Sequence, residues 1–433
     1  MESLSRVVGK VVLCGAGESR HMGELRRLSE TLGLEVRGCM EQGRRDPSGY
    51  LGGGKREELR GMVESLGAGF VVADDELTAS EARVLERDAG VAVVDRTELI
   101  IRIFEAHARD APSKLQVELA EMEYLLPRVR GMWRHLERLG GGLGSGGGAA
   151  VRGPGEQQLE YDRREIRARM EKLRSRLSDE RSARGVRRAR LRESAVPKVA
   201  LVGYTNAGKT TILNRLAGAG RSTEDRLFET LETTTRRVEG GSPSGASSGF
   251  TPDFTLTDTV GFIRKLPTQL VESFASTLEA ASDADVLVLC ADASSPTFDE
   301  EVSTVKDTLN EPVSDGAASE TGKPIILAFN KVDLISDSEA GRLSSRYGGP
   351  VLMSALDERD YGCALLLDAI HGEISAARER MEVLIPHASY EDAARLYGMA
   401  EIHASEDRED GVLMDVSLPA ASVHSYARYK VAR

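Results

Sequence analysis

Apolar positions in the first ~110 residues follow two patterns. Val11-Val12-Leu13, Phe70-Val71-Val72 and Val91-Ala92-Val93-Val94 are short solid runs and predict buried strands. Apolar residues recurring every three to four positions over 23–34 and 57–66 predict helices between them. Strands alternating with helices predict a parallel α/β sheet. Residues 74–85 turn helical after Asp74, Asp75 and Thr78, each a possible N-cap. The period then changes. Leu115, Leu119, Met122, Leu126, Val129, Trp133 and Leu136 are spaced alternately by four and three, a heptad pattern on one long helix. Pro127 should kink that helix near Glu123, because its ring meets the carbonyl four residues back. A glycine-rich breaker, 140–148, precedes a second heptad set at Leu159, Ile166, Met170, Leu173 and Leu177. The pair predicts an antiparallel helical hairpin. Beyond Pro197, strand and helix patterns alternate again to about Glu382, interrupted by polar inserts at 242–249 and 313–322 that read as surface loops. The tail predicts a helix at 390–397 and a strand with Val412, Met414, Val416 and Leu418 on one face. The expected division is 1–111, an N-terminal α/β domain; 112–195, a hairpin with a glycine loop and a basic helix; 196–382, a nucleotide-binding domain; and 383–433, a small C-terminal domain.

Composition narrows the class. The chain has 433 residues and a formal charge of −12, with 40% hydrophobic and 29% charged residues, as in soluble globular proteins. No apolar run approaches the ~20 residues that span a bilayer, and Val11-Val12-Leu13 is too short for a signal-peptide core. Cys14, Cys39, Cys290 and Cys363 are scattered without CxxC spacing, which argues against a zinc site or a disulfide framework. A cytoplasmic location is expected. The acidic total hides an asymmetry. Residues 160–193 carry 13 Lys+Arg against 7 Asp+Glu, so this segment is +6 and the remainder −18. Arginine dominates it, and arginine pairs bidentately with phosphate and stacks on bases. Either an RNA-contacting helix or a solvated face with internal ion pairs would have this composition.

Candidate chemistry sits in the third domain. Gly203-Tyr204-Thr205-Asn206-Ala207-Gly208-Lys209-Thr210 fits G-x-x-x-x-G-K-[ST], follows a strand and opens a helix, the context that motif requires. Its backbone N–H groups would face phosphates at a helix N-terminus, Lys209 would reach the β- and γ-phosphates, and Thr210 would ligate Mg²⁺. Asp258-Thr259-Val260-Gly261 would hold Mg²⁺ through water and sense the γ-phosphate through the Gly261 N–H. Asn330-Lys331-Val332-Asp333 supplies a carboxylate able to accept from the N1–H and N2 amine of guanine, a donor pair adenine lacks. Ser354-Ala355-Leu356 would close over the guanine O6. In this order the four motifs predict a GTPase domain of the translation-factor type. Between the first two lies the switch I position, Leu227 to Thr235, where Thr230, Thr233, Thr234 and Thr235 all remain candidates for a Mg²⁺ ligand in the GTP state. Phe262 stands where many GTPases carry a water-orienting glutamine. Slow intrinsic hydrolysis accelerated by a partner is expected; alternatively, Phe262 simply packs.

Residues outside these motifs go further. Gly52-Gly53-Gly54-Lys55-Arg56-Glu57-Glu58-Leu59, Asp75-Glu76-Leu77-Thr78, Val94-Asp95-Arg96-Thr97, Lys114 to Ala120, Tyr124-Leu125-Leu126-Pro127-Arg128, Arg152 to Glu160 and Asp162-Arg163-Arg164 resemble the HflX family of ribosome-associated GTPases over roughly residues 10–400. The resemblance implies an N-terminal α/β domain and a helical (coiled-coil) hairpin arm, then a P-loop GTPase domain with a mostly parallel sheet; the apolar patterning adds a small C-terminal α+β domain. It implies a protein that binds the large ribosomal subunit and its rRNA in the GTP state and splits, rescues or recycles stalled ribosomes under stress; a monomer is expected. By motif, the family's nucleotide residues carry over to Phe228, Glu229, Thr230, Leu231 and Glu232, with Thr230 joining Thr210 on Mg²⁺. Lys209, Thr230 and Gly261 become the catalytic set. RNA contacts would fall on Arg152, Arg163, Arg164 and Arg167. Leu356 departs from the family, where a lysine or arginine is frequent, and the glycine loop is longer than usual.

Two other functions compete. One is an RNA-binding or remodelling protein in which nucleotide is secondary; Gly52-Gly53-Gly54-Lys55 offers it a weak second phosphate loop, for which a structural turn is the alternative. The other is a GTPase of tRNA modification or small-subunit maturation, disfavoured by the lack of a GXXG-bearing C-terminal domain and of a cysteine signature.

Overall fold

A computed structural model describes residues 9–17, 22–140, 161, 163–180, 196–218, 233–240, 251–265, 267, 270, 280–310, 323–357 and 362–431. The chain forms two compact units, and residues 263–265 cluster with the N-terminal one.

The N-terminal unit is built on a four-stranded parallel sheet of order β2-β1-β3-β4. Its strands are β1 (Lys10–Ala16), β2 (Glu35–Gln42), β3 (Phe70–Ala73) and β4 (Ala92–Asp95). Val11, Val12, Leu13 and Cys14 are fully buried, as befits a central strand covered on both faces. Helices α1 (Met22–Thr31), α2 (Gly53–Leu66), α3 (Ala79–Ala89) and α4 (Arg96–His107) connect and follow the strands. Of the three expected caps, Thr78 takes the role: it forms a capping box with Glu81 that starts α3. Asp74 and Asp75 are drawn instead into ion pairs with Arg96 and Lys265. Helix α2 begins four residues before the apolar period does, so Gly53, Gly54 and Lys55 form its first turn, and Lys55 pairs with Glu58.

Asp95 joins this sheet to the hairpin. Its carboxylate accepts from the Leu77 and Glu98 backbone N–H groups, the Tyr124 hydroxyl at 3.0 Å and the Arg128 guanidinium. Arg128 lies 3.5 Å over the Tyr124 ring. Tyr124 and Arg128 belong to α5 (Ala111–Gly140), which remains one helix through Pro127. Against α5 packs the helix at 163–180. Leu119, Met170, Leu173 and Leu177 form the seam, with Leu115, Met122, Leu126 and Ile166 beside it. Arg169 pairs with Glu118, and Arg174 with Glu123 at 2.8 Å. The side chains of Val129, Trp133 and Leu136, the loop 141–148 and Leu159 lie outside the described residues, as do the inserts 242–249 and 313–322.

The second unit carries a six-stranded sheet of order β10-β9-β8-β5-β7-β6. The strands are β5 (Lys198–Gly203), β6 (Thr234–Val238), β7 (Phe254–Asp258), β8 (Val286–Asp292), β9 (Ile325–Asn330) and β10 (Val351–Leu352). All pairings are parallel except β6 on β7. Alternation along β5 feeds two cores: Val199 and Leu201 pack with Phe254 and Ile370 on one face, Ala200 and Val202 with Leu289 and Phe329 on the other. The tail forms an antiparallel sheet of order β11-β13-β12 from β11 (Arg378–Ile385), β12 (Glu401–Arg408) and β13 (Gly411–Pro419). The expected face of β13 is the buried one, with Met414, Val416 and Leu418 packed on Leu396 of the helix Tyr390–Met399. No helix among the described residues is long and apolar enough to cross a membrane.

Removing the Asp95 carboxylate would strand a guanidinium and a buried hydroxyl together. Asp95→Ala is expected to destabilise the N-terminal unit by about 3 kcal/mol, read by urea unfolding through Trp133, the only tryptophan in the chain.

Candidate nucleotide site

The site gathers at the C-terminal ends of β5, β7, β8 and β9, where open α/β sheets present their loops. β5 ends at Gly203, and the helix Lys209–Leu216 begins six residues later. The turn between them needs left-handed backbone at Asn206, φ +62°, and at Gly208, φ +86°. At Gly208 a Cβ would also lie 2.1 Å from the Asn330 side-chain nitrogen. Only glycine satisfies both demands.

Asn330 fastens two loops to each other. Its Nδ2 donates to the Ala207 carbonyl at 3.0 Å, and its Oδ1 accepts from the Ala355 N–H at 3.0 Å. The phosphate loop and the Ser354-Ala355 turn are thereby set at a fixed distance. Ser354 and Ala355 are buried, while Leu356 is 75% exposed. Lys331 has φ +62° and donates to Asp292 at 2.7 Å. Val332 and Asp333 form a short 3-10 turn, with the Asp333 side chain exposed. Asp292 was not singled out from the sequence. Its signal is positional: it ends a fully buried strand, β8, beside β9.

Lys209 is buried, with its Nζ donating to the Gly203 and Tyr204 carbonyls at 3.2 and 2.9 Å. Burial pushes its ammonium below the ordinary lysine pKa, and the nearby Asp258 carboxylate opposes that shift. Thr210 Oγ1 donates to Asp258 at 2.7 Å, so the hydroxyl and carboxylate expected near a metal are adjacent. The Thr259 hydroxyl donates to the Leu201 carbonyl at 2.7 Å, and Val260 is buried behind it. Phe262 packs in the core, and its backbone pairs with the phosphate loop. The Phe262 N–H donates to the Gly203 carbonyl at 3.0 Å, and the Thr205 N–H to the Phe262 carbonyl at 2.8 Å. Gly261 is pressed so near the loop that a Cβ would meet Lys209 Nζ at 2.9 Å.

The structure thus brings together Gly203 to Thr210, Asp258 to Gly261, Asn330 to Asp333 and Ser354 to Leu356. Phe228, Glu229, Thr230, Leu231, Glu232 and Arg152 lie outside the described residues. Arg163, Arg164 and Arg167 stand on the helix 163–180 of the other unit, with Arg164 and Arg167 exposed.

A central parallel strand running into a glycine turn, a helix-opening Lys-Thr, and an asparagine bolt to a second loop define a P-loop GTPase. Comparison with known proteins agrees. A family profile described as 50S ribosome-binding GTPase matches residues 198–331. Profiles described as GTP-binding GTPase N-terminal and GTP-binding GTPase Middle Region match 19–105 and 107–190. A GTPase HflX from Caldanaerobacter subterraneus subsp. tengcongensis is 39% identical over 418 residues, 95% of this chain and 91% of the relative. The GTPase HflX of Escherichia coli K12 is 36% identical over 374 residues, 86% and 83% of the two chains. A GTP-binding protein from Sulfolobus solfataricus, solved with GDP, shares 22% identity at a TM-score of 0.43, covering 84% of this chain and 98% of that one. The chain belongs to the GTPase HflX family, and it binds and hydrolyses GTP.

Gly208→Ala would force a disfavoured φ and push Asn330 from the Ala207 carbonyl. Affinity for GDP and GTP is expected to fall together by more than about tenfold, measured by isothermal titration.

Proposed function

We propose that this GTPase associates with the large ribosomal subunit in its GTP state and splits, rescues or recycles stalled ribosomes in the cytoplasm. The observation that carries this reading is the match of residues 198–331 to the 50S ribosome-binding profile. The exposed arginines of the helix 163–180 support it, since a local basic face on an acidic chain favours oriented contact with rRNA phosphates. Arg152, Arg163, Arg164 and Arg167 are the assigned contacts. Arg169 and Arg174 are held by glutamates within the hairpin and are less available.

In the nucleotide site, the N–H groups around Gly203–Thr210 receive the phosphates, and Lys209 bridges the β- and γ-phosphates. Thr210 and Thr230 would hold Mg²⁺, with Asp258 reached through water. The adjacent Thr210 and Asp258 oxygens suit a hard cation. Bound there, Mg²⁺ supplies charge neutralisation on the phosphate oxygens. Gly261 reports the γ-phosphate through its N–H. Asp333 reads the guanine edge, and the Ser354, Ala355 and Leu356 turn closes over O6. Phe262, packed and without a polar side chain, does not orient the attacking water, so that role falls to a group brought by the ribosome.

Asp333→Asn replaces one acceptor of the guanine N1–H and N2 pair with a donor. GTP affinity is expected to fall about a hundredfold while xanthosine triphosphate gains, measured by competition binding. Co-sedimentation with purified large subunits, at two salt concentrations, tests the partner. Retention with a non-hydrolysable GTP analogue but not GDP, weakening steeply with salt, is the expected result. Retention indifferent to nucleotide and to Lys209→Ala would favour an RNA-binding protein instead.

A further inference from the structure

Of the threonines Thr205, Thr210 and Thr259, the last two have protein acceptors for their hydroxyls, Asp258 and the Leu201 carbonyl. Thr205 differs. It is 6% exposed, and its Oγ1 is buried without a hydrogen-bond partner among the described residues. Buried hydroxyls are rarely left so, because their desolvation goes uncompensated, and in turns threonine commonly bonds to nearby backbone. The backbone around Thr205 is fixed: its N–H donates to the Phe262 carbonyl at 2.8 Å, and the Phe262 N–H donates to the Gly203 carbonyl at 3.0 Å. This holds the side chain against Gly261. A Cβ placed on Gly261 would lie 2.7 Å from Thr205 Cα, 2.9 Å from Thr205 Cγ2 and 2.9 Å from Lys209 Nζ. The Thr205 side chain, the Lys209 ammonium and Gly261 thus meet within the space of one methyl group. One step of about 120° to the next staggered rotamer brings Oγ1 into the place of Cγ2, beside the other two. No hydrogen bond has to be broken for that step.

We propose that the Thr205 hydroxyl donates a hydrogen bond to an oxygen of the γ-phosphoryl group during its transfer, and is a catalytic residue of GTP hydrolysis in this chain. The water oxygen bonds to the γ-phosphorus, and the bond from phosphorus to the β–γ bridging oxygen breaks with its electron pair left on GDP. Of the water's protons, one ends on the inorganic phosphate and one in solvent; the Thr205 proton stays on Thr205. Charge in that transition state is spread over the phosphoryl oxygens, where a donor already in place stabilises it without reorganisation. Phe262 brings only carbon to this end of the site and is packed in the core. GDP has no γ-phosphoryl group, so the hydroxyl gains nothing from it. The inference rests on the proposed placing of Gly261 and Lys209 at the γ-phosphate and is independent of the ribosomal partner.

Thr205→Val keeps the branched Cβ and its volume and removes the donor. Thr205→Ser keeps the donor and removes the methyl. Single-turnover hydrolysis of GTP by the full chain in Mg²⁺ should slow by at least about tenfold in the valine variant and stay within about threefold in the serine variant. Affinity for fluorescent GDP should move by less than about twofold in both. The melting temperature of the valine variant should hold or rise, since the hydroxyl it loses is unpaired. An unslowed valine variant, a serine variant as slow as valine, or a valine variant that melts earlier or loses GDP would each overturn the role of the hydroxyl. Lys209→Ala separates this from the wider reading. If it too leaves rate and affinity unmoved, the placing of the γ-phosphate falls and takes the inference with it; if it alone is impaired, only the inference falls.

Discussion

The nucleotide site depends on one carboxamide. Asn330 is the last residue of β9, yet its two polar atoms are spent on the phosphate loop and on the Ser354-Ala355 turn. A buried amide with both ends satisfied by backbone is rigid, and displacing it would leave a carbonyl and an N–H unpaired in the interior. The absent side chain at Gly208 is the space the amide occupies. The glycine loop and the Ser354-Ala355 turn are therefore a single piece of architecture, even though Ala207 and Asn330 are 123 residues apart.

The N-terminal unit is organised by buried charge rather than by an apolar core alone. Asp95 ends β4, caps α4 and holds Tyr124 and Arg128 of α5, so one carboxylate connects sheet, helix and hairpin. Next to it, Arg96 turns to Asp74 and Glu24. Burial pushes the Asp74 carboxyl up, while Arg96 and Lys265 pull it back. Such groups constrain geometry because an unpaired charge in that interior is expensive.

Local patterns made much of this legible. The turn at 203–210 is read from glycines, a preceding apolar run and a following helix, all within a few residues. β1, β3 and β4 are visible as solid apolar runs because parallel strands covered by helices are apolar along their length. β2, β11 and β12 were not read, because their outward positions are charged and their apolar positions sparse. Helix α2 begins on glycines that carry no periodic signal. Asp74 and Asp75 looked like caps because cap chemistry is local, whereas their partners Arg96 and Lys265 are distant in sequence. The same distance hid Asp292 and the backbone pairing of Phe262. The packing of Phe262, by contrast, was one of the two readings its side chain allowed.

Strand β12 has a consequence for how copies of this chain behave when crowded. It pairs only with β13 among the described strands, whereas the far side of β11 is met by Lys430 and Val431. An uncovered strand edge is a template on which a second molecule can add its own strand. Here that border runs through Glu401, Glu406, Asp407 and Arg408, nearly all of it open to solvent. Adding a strand would desolvate this row of charges, in which Arg408 pairs with Glu406 at 2.7 Å. The charges that hid this strand from a reading of the sequence are the ones that disfavour strand addition there.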